Sequence, residues 1–422
     1  MISLSSTGNR VPEDETGAAE SIPPKRPIRI YRVLLTLVAL LVSLAIAEGV
    51  LRLVEKAQLG DRVIQEKLID DPILGLKLAP HTLGHDANGF RNDSVPQHAD
   101  VVVLGDSQTW GVNAERQEAW PQQLAKLSGR GAYNMGMGGF GPVQYKAVLP
   151  QALRLSPGIV VVGFYLGNDI YDAYHMAYQY EAHRDLRSPA AGDLSADTVG
   201  EKSNLFWNEE KQFHATFGRN SLAGLSFWLR EHLAIGRLLN RTHLWPGAED
   251  VDYEIDKRWA VAHPDRGAVS EWPGRETVFT TAYRLAGLDL DEPRIVEGIR
   301  ISTDLMAQMQ TETQRNHARL IVLLLPTKEA VYASAQNGKL NPDPTYQKLV
   351  TMEGRVRSEI LSTCEKNGIP AIDALPYLSS SLDRGERIYP STTESHPNAH
   401  GYFVIASAVN ENISKLELTR PQ

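Results

Sequence analysis

The sequence predicts an α/β protein. We expect a three-layer sandwich with a mostly parallel sheet of about five strands, one inserted and mainly helical lobe, and one N-terminal transmembrane helix. Two observations carry this prediction. Short apolar runs alternate with amphipathic stretches after residue 100, which is typical of a parallel sheet covered by helices on both faces. An uncharged apolar segment near the N-terminus is long enough to span a bilayer.

The N-terminal region combines a polar tail with an apolar segment. Residues 1–29, rich in Ser, Gly, Pro and Glu, are predicted to be a disordered cytoplasmic tail, and residues 30–54 a transmembrane anchor. Four basic residues lie ahead of the apolar run: Lys25, Arg26, Arg29 and Arg32. They predict that the N-terminus is cytoplasmic and that the remainder of the chain is periplasmic or extracellular. A cleaved signal peptide is one alternative, because Ala45-Ile46-Ala47 resembles a cleavage site. A buried helix of a soluble domain is another.

The remaining chain divides into a sheet-forming part and an insertion. A linker and approach loop is expected at 55–95, the sheet domain at 96–172 and 292–418, and the lobe at 173–291, where the alternation stops. The predicted strands are Asp100–Leu104, Ala132–Met135, Ile159–Leu166, Ala318–Leu325 and Ile369–Ala374. The predicted helices are Ala119–Leu127, Val143–Leu155, Arg294–Gln314, Tyr346–Lys366 and Ala399–Lys415.

Charge and cysteine content argue against several classes of function. The net charge of -8, with no long Lys/Arg run, argues against a nucleic-acid-binding surface. The single cysteine, Cys364, excludes an intrachain disulfide framework and a cysteine-based zinc site. We find no His and acidic cluster at metal-ligand spacing and no phosphate-binding loop, so neither a metal nor a cofactor is predicted.

Four short motifs fall at the same predicted end of the sheet. Ser107 follows the first strand in Gly105-Asp106-Ser107, a glycine-dense turn at 134–141 follows the second, and Gly167-Asn168-Asp169 follows the third. His396 precedes the last helix. A serine hydroxyl needs a base to remove its proton and donors to stabilise an oxyanion, and these motifs offer both. Each motif alone is a common turn, so the prediction rests on their ordered coincidence.

Together the motifs resemble the SGNH hydrolases, also called GDSL-type esterases, over residues 96–172 and 292–418. The resemblance implies a flavodoxin-like sheet with Ser107 as nucleophile and His396 as general base. It implies an oxyanion hole formed by the backbone N–H groups of Ser107 and Gly139 and by the Asn168 amide. The spacing from Asn134 favours Gly139 over its neighbour, Gly138, as the donor.

One position departs from this family. Thr393 stands where SGNH hydrolases usually have an Asp three residues before the catalytic His. Glu394 is the candidate to orient the imidazole instead, and a backbone carbonyl, giving a Ser-His dyad, is the alternative. Thr393 and Glu394 therefore complete the candidate catalytic set with Ser107 and His396.

A second resemblance bears on the substrate. The segments 326–332 and 88–91, with the single anchor, look like alginate-type polysaccharide O-acetylation proteins. This resemblance implies an enzyme that is anchored in the inner membrane, has its catalytic domain in the periplasm, and cleaves or transfers acetyl groups of a polysaccharide or a small acyl ester. The partners that it implies are membrane acyl-transfer or polysaccharide-export proteins. Candidate substrate contacts are Asp106, Asp169, Lys328 and Glu329. A scaffold subunit with weak or no activity is the competing hypothesis, for which Thr393 is the reason.

Overall fold

A computed structural model describes residues 28–61, 68–80, 84–217, 222–241, 245, 247–335 and 343–418. Nearly all of the predicted tail lies outside these residues. The first helix, α1, covers Ile28–Asp61, and it contains a 23-residue apolar stretch, Tyr31–Leu53, of which nothing is buried. By length and composition this stretch is able to cross a membrane, as either an anchor or a signal sequence.

The central feature of residues 54–422 is a parallel sheet of five strands in the order β4-β3-β5-β8-β9. Antiparallel pairs are formed by β1 with β2 and by β6 with β7. The strands of the described residues are β1 Leu68–Asp71, β2 Gly75–Leu78, β3 Val101–Gly105, β4 Ala132–Gly136, β5 Ile159–Tyr165, β6 Ala268–Ser270, β7 Thr277–Phe279, β8 Arg319–Leu325 and β9 Ala371–Asp373.

Helices cover both faces of this sheet. After α1 they are α2 Ser107–Trp110, α3 Trp120–Ser128, α4 Pro142–Leu153, α5 Asp169–Gln179, α6 Thr198–Phe217, α7 Leu222–His232, α8 Ala234–Arg241, α9 Ala248–Ala262, α10 Thr281–Ala286, α11 Pro293–Arg315, α12 Lys328–Ser334, α13 Pro344–Lys366, α14 Leu375–Asp383 and α15 Ala399–Leu418. The five predicted strands and five predicted helices are all present, with ends shifted by no more than three residues.

The core lies in two layers, because alternate residues of a strand point to opposite faces. Val102 and Leu104 of β3 pack with side chains of α4, α11 and α13, whereas Val101 and Val103 pack with side chains of α3, α12, α14 and α15. All four valine and leucine side chains are fully buried. The predicted three-layer α/β sandwich is therefore confirmed.

The sheet order determines where a ligand can bind. The chain runs from β3 outward to β4 and then returns to β5 on the other side of β3, so the winding reverses between β3 and β5. In open α/β sheets, ligands bind beyond the carboxyl ends of the strands at this reversal. The helices of the inserted segment, α6 to α10, and the β6-β7 pair come between α5 and α11 in the chain.

Candidate active site

Ser107 is the first residue of α2, the single helical turn that follows β3. The buried carboxylate of Asp106 caps this turn by accepting the backbone N–H of Gln108 at 2.9 Å. Gly105 has no room for a side chain, because a Cβ there would lie 2.0 Å from Oγ1 of Thr109. The tight turn therefore places the Ser107 hydroxyl at the reversal point of the sheet.

Three side chains form a continuous chain of contacts. Oγ of Ser107 lies 2.7 Å from Nε2 of His396, and Nδ1 of His396 lies 2.5 Å from Oε1 of Glu394. The same Glu394 oxygen accepts the backbone N–H of His396 at 3.0 Å. Nucleophile, imidazole and carboxylate thus have the geometry of a serine-histidine-acid triad.

The protonation of this triad follows from the electrostatics of Glu394. Burial raises the pKa of its carboxyl, but the hydrogen bonds and charge of His396, together with the charge of Lys328, outweigh burial and hold the pKa at about 2. An ionised carboxylate only accepts hydrogen bonds, so a neutral His396 carries its proton on Nδ1. Its Nε2 is then free to accept the proton of Ser107.

Thr393 is not part of this chain of contacts, which corrects its inclusion in the candidate catalytic set. Its backbone N–H and its hydroxyl donate to Oδ2 of Asp256, at 2.7 and 3.1 Å. Thr393 is therefore directed at α9 of the lobe, and Glu394 occupies the position of the orienting acid instead of a backbone carbonyl.

Lys328 holds the loop that carries Glu394. Its fully buried ammonium group donates to the carbonyl oxygens of Glu394, Thr392 and Val278, at 2.8–2.9 Å, and to the Thr277 hydroxyl at 3.0 Å. Burial lowers the pKa of Lys328 to about 8. Lys328 thus orients the backbone of the acid and has no surface left for a substrate.

The other candidate substrate contacts are also buried and have structural partners. Asp106 caps α2, and burial raises its pKa to about 6. Asp169 accepts the Tyr145 hydroxyl at 2.9 Å, and Glu329 accepts the backbone N–H of Thr280 at 3.1 Å. Asp106, Asp169, Lys328 and Glu329 are all 0% exposed, so direct contact with a substrate at these positions is corrected to support of the loops around the site.

The candidate oxyanion donors follow β4 and β5. Asn168 precedes α5 and lines the same cleft as Ser107, and its Oδ1 is buried without a hydrogen-bond partner among the described residues. Gly139 has a φ of +79°, which favours glycine, and both Gly138 and Gly139 are exposed. A Cβ on Gly138 would lie 3.9 Å from Cβ of Ser107, so this glycine turn borders the nucleophile.

The cleft contains residues that the motifs did not indicate. It has a volume of about 490 Å³, and the inserted segment contributes the rings of Trp207 and Tyr283, which lie edge to face 4.9 Å apart. Arg284 also lines it, donates to Ser395 Oγ, and has an Nε atom with no partner among the described residues. Trp207 is one of five tryptophans between residues 173 and 291 that the sequence offers for stacking on sugar rings. No sequence motif marks Tyr283 or Arg284, because their places depend on how the lobe packs.

A cluster with metal-ligand chemistry lies in the same cleft, although none was predicted. One donor atom each of Glu210, His214 and Asp256 lies within 4.8 Å of the other two. Glu210 and His214 are four residues apart on α6, a spacing that was visible in the sequence, but Asp256 comes from α9.

No family model matches the chain, and a search of curated proteins finds no match. Among solved structures, the chain is similar to a GDSL-like lipase from Bacteroides thetaiotaomicron, with 12% identity, a TM-score of 0.32 and coverage of 76% of this chain and 93% of that chain. It is also similar to a catalytic mutant of an acetylxylan esterase from Geobacillus stearothermophilus, with 10% identity, a TM-score of 0.34 and coverage of 76% and 95%.

The lipase is described as GDSL-like, which is the class that the sequence motifs resemble. The finer resemblance to polysaccharide O-acetylation proteins stays a prediction. At identities this low, the activity has to be argued from the side chains of the site itself.

Proposed function

We propose that the chain is a membrane-anchored serine esterase or O-acetyltransferase of the SGNH type, which acts on acyl groups ester-linked to a polysaccharide. The observation that carries this proposal is the unbroken contact chain from Ser107 through His396 to Glu394, at 2.7 and 2.5 Å. A nucleophile, a base and an orienting acid at these distances are the components of acyl transfer by covalent catalysis.

The reaction proceeds through an ester on Ser107. Oγ attacks the acyl carbonyl carbon while Nε2 of His396 takes the hydroxyl proton, and the ionised Glu394 stabilises the resulting imidazolium. The backbone N–H groups of Ser107 and Gly139 and the Asn168 amide meet the negative charge on the former carbonyl oxygen. Collapse of this tetrahedral intermediate breaks the bond to the leaving alkoxide, which takes the proton from His396. His396 then deprotonates water or an acceptor hydroxyl, which attacks the acyl-enzyme, and the imidazolium returns this proton to Oγ as the ester bond to Ser107 breaks.

A glycan ester is the substrate that the cleft suits best. The aromatic rings of Trp207 and Tyr283 on its wall match the apolar faces of sugar rings, and the 37% exposed Trp207 is accessible to a ligand. The apolar stretch of α1 would anchor the protein in the inner membrane, and its basic flank favours a periplasmic catalytic domain. Membrane acyl-transfer or polysaccharide-export proteins are the partners expected of such an enzyme.

The competing hypothesis of an inactive scaffold has lost its motivating feature. It rested on Thr393 in place of the usual acid, and Glu394 supplies an ionised carboxylate to His396 from the next position. The proposal therefore concerns an active enzyme.

Active-site labelling tests this proposal. The full-length protein in detergent is expected to react with a fluorophosphonate probe, and Ser107→Ala abolishes the labelling whereas Ser380→Ala, on the exposed side of α14, leaves it unchanged. Wild-type protein that stays unlabelled while a control esterase reacts would refute the proposal. Product analysis with an acetylated glycan, in the presence and absence of a deacetylated acceptor, then separates transfer from hydrolysis.

A further inference from the structure

Three side chains of the inserted segment converge on one point in the cleft. Glu210 and His214 lie one turn apart on α6 and share a face of that helix, and α9 packs against α6 and presents Asp256 to the same face. One donor atom of each residue lies within 4.8 Å of the others. Glu210 and Asp256 are buried, being 8% and 2% exposed.

Two of the donor atoms lack hydrogen-bond partners within the described part of the chain. They are Nε2 of His214 and Oδ1 of Asp256, which lie 2.9 Å apart as an ion pair. The other oxygen of Asp256, Oδ2, is occupied by the two donors of Thr393. Thr393 therefore fixes the carboxylate and leaves Oδ1 directed toward His214, so that one oxygen of Asp256 and the His214 nitrogen face the same point.

The composition of the cluster favours a cation. Two carboxylates and one imidazole converge in a largely buried setting, so a cation placed between them would meet two negatively charged ligands.

We propose that Glu210, His214 and Asp256 bind one divalent transition-metal ion, for which Zn²⁺ is the best match. Imidazole nitrogen and carboxylate oxygens are ordinary zinc ligands, at about 2.0–2.2 Å, so two donors on one tetrahedral ion lie about 3.3–3.6 Å apart. Donor atoms within 4.8 Å of one another reach this distance when the side chains close by about 1 Å.

The site has a position for an external ligand. Three protein ligands leave the fourth position of a tetrahedral zinc ion open, and all three residues line the cleft that contains Ser107. An oxygen-bearing ligand in the cleft, such as a sugar hydroxyl or carboxylate, has the chemistry to fill that position. Zinc binding is independent of the proposed esterase activity, since none of its ligands belongs to the serine-histidine-acid contact chain.

Direct metal binding tests the proposal. The full-length protein is stripped with a chelator, dialysed against Zn²⁺, and analysed for metal content and for affinity by calorimetric titration. We expect one zinc ion per chain. The zinc affinity should fall by more than about 100-fold in His214→Ala and in Asp256→Asn, because the loss of a residue that only supports a metal ligand costs up to about 100-fold. His232→Ala, an exposed histidine on α7, is the matched control and binds as the wild type does. Zinc should also raise the melting temperature of the wild type and of His232→Ala.

Two results would overturn the proposal. One is a wild-type protein that binds less than one zinc ion per chain. This result is expected if His214 is protonated and pairs with the two acids without a metal. The other is unchanged binding in His214→Ala and Asp256→Asn, which marks adventitious surface binding. Melting curves of the metal-free variants show that they are folded, and a repeat on Ser107→Ala separates metal binding from catalysis.

Discussion

Replacing Glu394 by glutamine is the sharpest test of the active site. The substitution keeps the size of the side chain but removes the charge that faces Nδ1 of His396 at 2.5 Å. The new amide NH₂ group favours the imidazole tautomer with its proton on Nε2, which no longer accepts the Ser107 proton. Loss of the acid in a serine-histidine-acid triad costs about 10⁴ in kcat. We therefore expect a loss of 10³ to 10⁴, or about 4–5.5 kcal/mol of transition-state stabilisation.

The assay is hydrolysis of a small acetyl ester by the full-length protein in detergent, with kcat and KM measured separately. The control is Glu386→Gln, because Glu386 also faces an imidazole nitrogen, that of exposed His400 at 3.1 Å, and both residues line a different pocket from Ser107. We expect normal kinetics from this control. The triad assignment is wrong if a folded Glu394→Gln protein keeps its kcat within about tenfold of the wild type. A tenfold change corresponds to about 1.4 kcal/mol of activation free energy.

The same variant has a pH signature in its stability. The pKa of Glu394 is about 2 in the folded protein and near its ordinary value of 4.5 when unfolded. Between these values the unfolded state binds more protons, so the stabilisation is complete above pH 4.5 and is lost as the pH falls toward 2. Glutamine does not titrate. The difference in melting temperature between wild type and Glu394→Gln should therefore narrow with acidification, and a constant difference would contradict the assigned pKa.

Two further substitutions test the supports of the site. Lys328→Met leaves three carbonyl oxygens and one hydroxyl without their buried donor, and we expect a loss of about 3–5 kcal/mol in urea unfolding. The exposed Lys415→Met is the control, and its urea midpoint should match that of the wild type. A Lys328→Met protein as stable as the wild type would show that the loop does not depend on this ammonium. Asn168→Ala is expected to lower kcat by about 10²–10³ with little change in melting temperature, and undiminished kcat would remove Asn168 from the oxyanion hole.

The sheet was predictable because its strands carry a strong local signal. The segments β3, β5 and β8 are buried on both faces, so they are continuous apolar runs in the sequence. The positions of Ser107 and Asn168 followed from the same signal, since residues directly after parallel strands meet at one edge of the sheet. His396 precedes the last helix, α15, and its position followed from the motif around it.

The acid and the cleft wall were harder to predict because they depend on side-chain direction and on packing over long sequence separations. The non-helical loop before α15 has no periodicity that distinguishes Thr393 from Glu394 as the partner of His396. Charged side chains such as Lys328 and Glu329 are rarely fully buried, so a surface role was the natural expectation for both. The metal-ligand cluster needs Asp256 of α9, whose place beside α6 no local pattern records.

Thr393 and Glu394 form one structural arrangement in which each residue requires the other. An Asp at position 393 would direct a carboxylate at the carboxylate of Asp256, in place of the N–H and hydroxyl donors that now bind it. The like charges would repel each other in a buried setting, so an Asp at position 393 is unfavourable beside this lobe. The acid at position 394 points to His396 instead, while Lys328 fixes the carbonyl oxygens of residues 392 and 394 on either side of Thr393. An uncharged donor at position 393 and an acid at position 394 therefore suit a lobe that brings its own acidic cluster to the active-site loop.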